Sequence, residues 1–378
     1  MNRGKRVKIA TALIVLMATN AVAEDSKHKF FGFSQIGVKV GDGATKDNQN
    51  GDYKFEADRI RLGWKYFSGP LAGKVFLDFS KDGTDKAGVG VPDMIKDAFI
   101  SYKMNNSAVI KAGVIKTPVG MGFTIPGWNL DVIKRGFDKK LAFERGFGLM
   151  LSGRDIGGDG KVNGLEMGHE RPWHGFGYDI MVAGQAGRSG AVVKAKSGDD
   201  NAYMGRVMYD NGQILHVEAS YGASKSAGGI DTDAELEGNQ GTEEYKVVNV
   251  GIDSHFDRAN LKAEYYDVQN IRGTDGWDMN TLALTGTYYV SDVVELALKD
   301  IRGTETKDGK DSDASNTYIG VNYYINPKNN KMDRQNRKKR NQHRVQLNYV
   351  VTDVDDEFKG VGALFREDTI LAQYQFKF

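Results

Sequence analysis

Cysteine is absent from the 378 residues and proline occurs only 6 times. Without a thiol there is no disulfide framework, no cysteine nucleophile and no thiolate-held zinc or iron–sulfur centre. No apolar run reaches the roughly 18 residues of a membrane-spanning helix. A helical membrane protein is therefore excluded, but a membrane protein is not. Charge of one sign is missing too, with 51 Lys and Arg against 50 Asp and Glu. That balance, with 10% aromatics, argues against disorder and against a general nucleic-acid binder. Helical periodicity is nearly absent. What the chain has is 47 Gly, 17 Tyr and 18 Phe, which favour strands and turns over helices.

The N-terminus reads as a targeting segment. Arg3, Lys5, Arg6 and Lys8 precede a short apolar stretch from Ile9 to Ala18, and Ala21-Val22-Ala23 forms a small-residue cleavage site. This is the pattern of a Sec signal peptide over residues 1–23, with the mature domain at 24–378. An anchoring amphipathic helix is the competing reading, and the apolar run is too short for it. Removing the leader takes four basic and no acidic residues, so the mature chain is slightly acidic.

Beyond the leader, apolar and polar residues alternate with a period of two. At the C-terminus Ile370, Ala372, Tyr374, Phe376 and Phe378 share one face, and Leu371, Gln373, Gln375 and Lys377 the other. Sixteen such runs are expected, near 29–40, 53–66, 73–81, 95–104, 108–116, 146–156, 174–185 and 201–209, then 213–222, 244–255, 259–269, 277–290, 293–301, 316–326, 343–352 and 369–378. Most are about the 9–11 residues a tilted strand needs to cross a bilayer. Short connections such as Ser68–Ala72 and Asn105–Ser107 alternate with long polar ones such as 117–145 and 302–315. Short turns on one side and long loops on the other mark a transmembrane β-barrel. The fold class expected is thus all-β, a 16-stranded antiparallel transmembrane barrel. A secreted β-sandwich or propeller also alternates. Here, however, the polar face carries Arg59, Arg61, Lys111, Arg154 and Arg206, which suits a wet lumen. Trp64, Tyr66, Tyr102, Tyr209, Tyr265, Tyr288 and Tyr323 at strand ends suit interfacial girdles.

The ending Tyr374-Gln375-Phe376-Lys377-Phe378 resembles the C-terminal signature of bacterial outer-membrane barrels, read by their assembly machinery. The segments Ile60-Arg61-Leu62-Gly63-Trp64-Lys65, Lys96-Asp97-Ala98-Phe99-Ile100-Ser101-Tyr102 and Lys111-Ala112-Gly113-Val114-Ile115-Lys116-Thr117-Pro118-Val119-Gly120 resemble the phosphate-selective porin O and P family. Glu144-Arg145-Gly146-Phe147-Gly148, Gly320-Val321-Asn322-Tyr323-Tyr324 and Gln346-Leu347-Asn348-Tyr349 extend the resemblance. It implies a 16-stranded barrel, a homotrimer, a third loop folded inward, and passage of small anions and hydrophilic solutes across the bacterial outer membrane. It leaves the solute open, because relatives include general porins as well as phosphate or polyphosphate channels. A non-channel barrel, such as an adhesin or structural protein, is the alternative.

The third long connection, Lys116 to Arg145, can be read on its own residues. Trp128, Ile133, Phe137, Leu141 and Phe143 make it too apolar for a loop in bulk water. A 16-stranded barrel leaves an aqueous channel into which such a loop can fold; a surface loop used in subunit contacts is the other reading. Strand alternation turns 13 basic residues inward against 7 acidic ones. The pore-lining, anion-binding candidates are Arg59, Arg61, Lys65, Lys111, Lys116, Lys134, Arg135, Lys139, Lys140, Arg145, Arg154 and Arg206. A narrow channel between low-dielectric walls focuses their field. The plainer reading of the strand residues is a structural lattice in which Arg59 and Arg61 pair with Asp78 and Asp97.

An enzyme is not expected, and neither is a cofactor or a metal. His28, His169, His174, His216, His255 and His343 show no repeated ligand spacing. Asp308-Gly309-Lys310-Asp311-Ser312-Asp313 resembles half a calcium loop without the closing Glu, and reads as a solvated loop. The basic stretch Lys328–Arg344 reads as a solvated periplasmic turn or a contact for an anionic periplasmic partner, and export argues against nucleic acid.

Overall fold

The computed structural model describes residues 26–41, 53–81, 94–158, 174–184, 201–212, 214–224, 243–325, 343–362 and 364–378. The expected leader at 1–23, His169 and residues 328–342 of the basic stretch lie outside the described residues. The first eight strands are β1 (Lys27–Val40), β2 (Tyr53–Ser68), β3 (Leu71–Asp78), β4 (Ile95–Asn105), β5 (Ala108–Lys116), β6 (Arg145–Ile156), β7 (His174–Ala183) and β8 (Ala202–Asn211). The second eight are β9 (Leu215–Ser224), β10 (Tyr245–Phe256), β11 (Ala259–Gln269), β12 (Trp277–Tyr289), β13 (Val294–Lys307), β14 (Lys310–Tyr324), β15 (His343–Val354) and β16 (Thr369–Lys377). They form one closed barrel in which each strand pairs with its sequence neighbours and β1 closes on β16. The one α-helix among the described residues, α1, is the four-residue turn Met121–Thr124.

Alternation sets the two faces. Ile36, Leu62, Val75, Ile100, Val250, Leu284 and Leu347 stand exposed on the outside, the surface a lipid bilayer would cover. Their sequence neighbours Gln35, Arg61, Asn249, Ala283 and Gln346 turn to the interior, as one residue's shift requires. Tyr374, Phe376 and Phe378 also face out.

The structure departs from the expected boundaries at β13 and β14. These run on through most of 302–315, joined by Asp308 and Gly309 alone. Both residues have positive φ, 52° and 72°, the backbone of a tight hairpin turn for which Asp-Gly is suited. The half calcium loop is therefore a hairpin tip. Its carboxylates accept hydrogen bonds from hydroxyls of the partner strand, Thr306 Oγ1 to Asp311 at 2.7 Å and Thr304 Oγ1 to Asp313 at 2.6 Å. The polar outward face of the hairpin, Arg302, Thr304, Asp311 and Asp313, hid these strands from an apolar–polar alternation, although Ile301, Glu305, Ser312 and Ala314 are buried on the inner face.

A second departure lies inside. Met150, Met181, Met204, Tyr245, Val247, Tyr266, Trp277 and Met279 are buried interior residues of β6 to β12, all toward the end with the long connections. They form one apolar cluster with Val132, Ile133, Phe137 and Leu141 of 117–144, and with Phe358, Val361 and Phe365 of 355–368. That half of the interior is a dry core and not the wholly wet wall expected.

Candidate functional site

Segment 117–144 is held by interior side chains from strands all round the barrel. Gly120 N–H donates to Ser220 Oγ at 3.1 Å, and Gly122 N–H to both oxygens of Glu264 at 3.0 Å. Ile133 N–H donates to Asn348 Oδ1 at 2.8 Å. In the other direction Arg344 donates to Leu130 O at 2.7 Å, Asn322 to Asp131 O at 2.9 Å and Gln35 to Gly127 O at 3.1 Å. Lys262 forms a buried ion pair with Asp131. A loop without regular structure must find partners for its backbone polar groups; here the wall supplies them.

The predicted site residues fall into separate groups. Arg59, Arg61, Lys116, Arg135 and Arg145 come together. Arg135 interacts electrostatically with Arg59, Arg61 and Arg145, and Lys116 with Arg61, Arg135 and Arg145. Burial, then those three arginines, push the Arg135 guanidinium well below its usual range, while Glu144 pulls the other way. Its Nε donates to Gly122 O at 3.3 Å and its Nη2 to Ile125 O, so backbone carbonyls hold it without cancelling its charge. Arg59 donates to Gln35 Oε1 at 2.5 Å, another neutral partner. Arg61 and Arg145 each bind a carboxylate through Nε alone, Asp78 at 2.8 Å and Asp97 at 3.1 Å. Their terminal nitrogens have no hydrogen-bond acceptor among the described residues. Lys116 Nζ lies 4.5 Å from the Phe123 ring centroid.

The others are placed differently. Lys111, Arg154 and Arg206 belong to a buried network on β5 to β9. Asp179 accepts from Arg154 Nη2 at 3.0 Å and from Arg206 Nη2 at 2.6 Å, with all three side chains closed to solvent. Lys111 is 1% exposed and donates to Ser152 Oγ at 3.5 Å. A lattice thus describes this wall well; of the pairs expected for it, Arg61 does bind Asp78, whereas Arg59 takes Gln35 and Asp97 takes Lys74 and Arg145. Lys134 is neutralised by Glu56 and Asp58, and Lys139 pairs with Glu144 at 2.6 Å. Lys140 follows in the same 3-10 turn, and Lys65 lies over the Phe31 ring.

The sequence missed several interior acids. Asp58 is the extra residue of a bulge, because Gln35 pairs with Arg59 and Ile36 with Ala57. The bulge shifts the phase of alternation, so Glu56 and Asp58 turn in beside Lys134. Asp210, bonded to His216 at 2.6 Å, and Glu305 at the end of the lengthened β13 are also interior.

Glu305 pins the segment 355–368, accepting from Lys359 N–H at 3.0 Å and Gly360 N–H at 2.8 Å. Phe358 is fully buried 5.9 Å from the Phe137 ring centroid. Phe358→Ala is expected to remove about 3–5 kcal/mol of packing. The loop should then open to trypsin at Lys359 and Arg366 while the barrel stays folded. Limited digestion in detergent checks this, with the wild type resisting.

A family model described as Gram-negative porin matches residues 10–329. No curated protein sequence matches the chain. Among solved structures, the chain is similar to the anion-selective porin from Comamonas acidovorans, with a TM-score of 0.60 and 15% identity over 94% of this chain and 100% of that one. It is similar to OmpT, an outer membrane protein of Vibrio cholerae, with a TM-score of 0.62 and 14% identity over 95% and 100%. The outer membrane channel DcaP of Acinetobacter baumannii gives 0.59 and 14% over 93% and 97%. At such identities the likeness speaks to the fold.

Proposed function

Because the chain belongs to the Gram-negative porin family, we propose that it is a passive outer-membrane channel for small hydrophilic solutes, weakly anion-selective, with segment 117–144 as the constriction. The carrying observation is the meeting of Arg59, Arg61, Lys116, Arg135 and Arg145 from the wall and the segment. With Lys74 and Lys139 they make seven cations, against the three carboxylates Asp78, Asp97 and Glu144 that bind them. The name of the Comamonas porin, which is anion-selective, fits the same reading. Guanidinium forks with open terminal nitrogens suit phosphate-type oxyanions. The cations that lie in closed ion pairs argue for a general porin over a strict phosphate channel of the porin O and P kind. The protein works without catalysis, as a homotrimer, and Tyr374, Phe376 and Phe378 address it to the barrel assembly machinery.

In planar bilayers the pure protein is expected to give stepwise conductance, with a reversal potential in a KCl gradient whose sign favours chloride. Absence of steps would favour an adhesin or structural barrel. A cation-favouring sign would reject the anion reading and leave the channel standing.

A further inference from the structure

Phe31, Phe33, Phe76 and Phe99 point into the barrel from β1, β3 and β4, beside the basic constriction. Phe76 is their hub. Its ring centroid lies 5.1 Å from Phe31, 6.3 Å from Phe33 and 6.4 Å from Trp128 of segment 117–144, the last edge-on.

Cations lie over these rings. Arg61 Cζ is 5.6 Å from the centroids of both Phe33 and Phe76. Lys74 Nζ is 5.4 Å from Phe76 and 5.8 Å from Phe99, and Lys65 Nζ is 5.1 Å from Phe31. The strand register makes this arrangement unfavourable by charge alone. Lys65 sits directly opposite Lys29 on β1 and directly opposite Lys74 on β3. Like charges facing each other across strands repel. Asp78 at 2.8 Å from Arg61 and Asp97 at 2.6 Å from Lys74 offset part of this repulsion. The aromatic faces hold the same cations from another side through the ring quadrupole and add no negative charge, so the net excess of cations stays in the lumen.

We propose that Phe31, Phe33, Phe76 and Phe99 form an aromatic floor that positions Arg61, Lys65 and Lys74 as a path for anions between the constriction and the barrel end bearing the termini. Phe76, shared by Arg61 and Lys74, is the central positioning residue. The inference rests on the anion-selective reading.

The test is the reversal potential of Phe76→Leu and Phe76→Tyr channels in a KCl gradient. Phe76→Leu changes no charge. It is expected to lower the chloride-to-potassium permeability ratio by about twofold to fivefold, the equivalent of one weak cation–π contact. Phe76→Tyr keeps a ring face and should retain the wild-type ratio. In an Arg61→Met, Lys74→Met background the Phe76→Leu effect should vanish, whereas a mere displacement of Trp128 and its segment would persist there. Should Phe76→Leu fail to fold, Phe31→Leu beneath Lys65 carries the same expectation. An anion-selective wild type whose Phe76→Leu or Phe31→Leu form keeps the ratio overturns the floor alone. A wild type without anion preference overturns the floor together with the reading beneath it.

Discussion

Arg135→Glu is expected to lower the chloride-to-potassium permeability ratio about tenfold, equivalent to about 1.4 kcal/mol. Among the described residues Arg135 hydrogen-bonds to no carboxylate; its hydrogen bonds go to Gly122 O and Ile125 O. Its charge therefore acts on the lumen together with Arg59, Arg61 and Arg145. Two unit charges at 4 Å interact by about 1 kcal/mol in water and about 4 kcal/mol at an effective dielectric near 20. The proposed constriction lies between these limits, and reversing the charge doubles the change. Arg135→Gln keeps a donor for the carbonyls and should move the ratio about half as far in free energy. Both effects should shrink from 0.1 M to 1 M salt, as the screening length falls from about 10 Å to about 3 Å. Reversal potentials at both concentrations check this. An Arg135→Glu channel with wild-type selectivity and intact conductance would remove segment 117–144 from the constriction.

Asp179→Ala should cost about 3–5 kcal/mol of barrel stability, the range for removing one partner of a buried ion pair. Asp179 receives four hydrogen bonds, at 3.2 and 3.0 Å from Arg154 and at 3.0 and 2.6 Å from Arg206. Glu218, at 3.2 Å, is left with Arg206 and already holds His216 at 2.9 Å. Arg302→Gln is the contrast. Its pair with Asp300 is on the outer face and 75% exposed at the arginine, so less than about 1 kcal/mol is expected. Urea unfolding of the two variants in the same lipid measures the difference. An Asp179→Ala barrel as stable as wild type would mean that the network does not hold the β6–β8 wall.

The alternation in 369–378 and 59–66 already placed Tyr374 and Phe376 outside and Arg59 and Arg61 inside, and the structure agrees. Period two is a property of the extended chain itself, so it can be read without knowing what the strand pairs with. It fails where the chain breaks its own period. The bulge at Asp58 flipped Glu56 and Asp58 inward, and the far ends of β13 and β14 escaped the apolar pattern because their outward face, Arg302, Thr304, Asp311 and Asp313, is polar.

The sequence by itself determined that this is an all-β barrel of sixteen strands, which strand residues face outward and which inward, and that the third long connection is unusually apolar. Which cations remain open was decided only by the tertiary structure. Arg154 and Arg206 looked no different from Arg59 and Arg61 in alternation, yet the first two close on Asp179, whereas Arg59 takes the neutral Gln35 and Arg61 binds Asp78 through Nε alone. The reason is that ion-pair partners lie on neighbouring strands, at a register set by barrel closure, or on a loop whose path is set by hydrogen bonds to eight or more distant positions such as Ser220, Glu264 and Asn348. Those distances in sequence, 100 to 215 residues, carry no local signal.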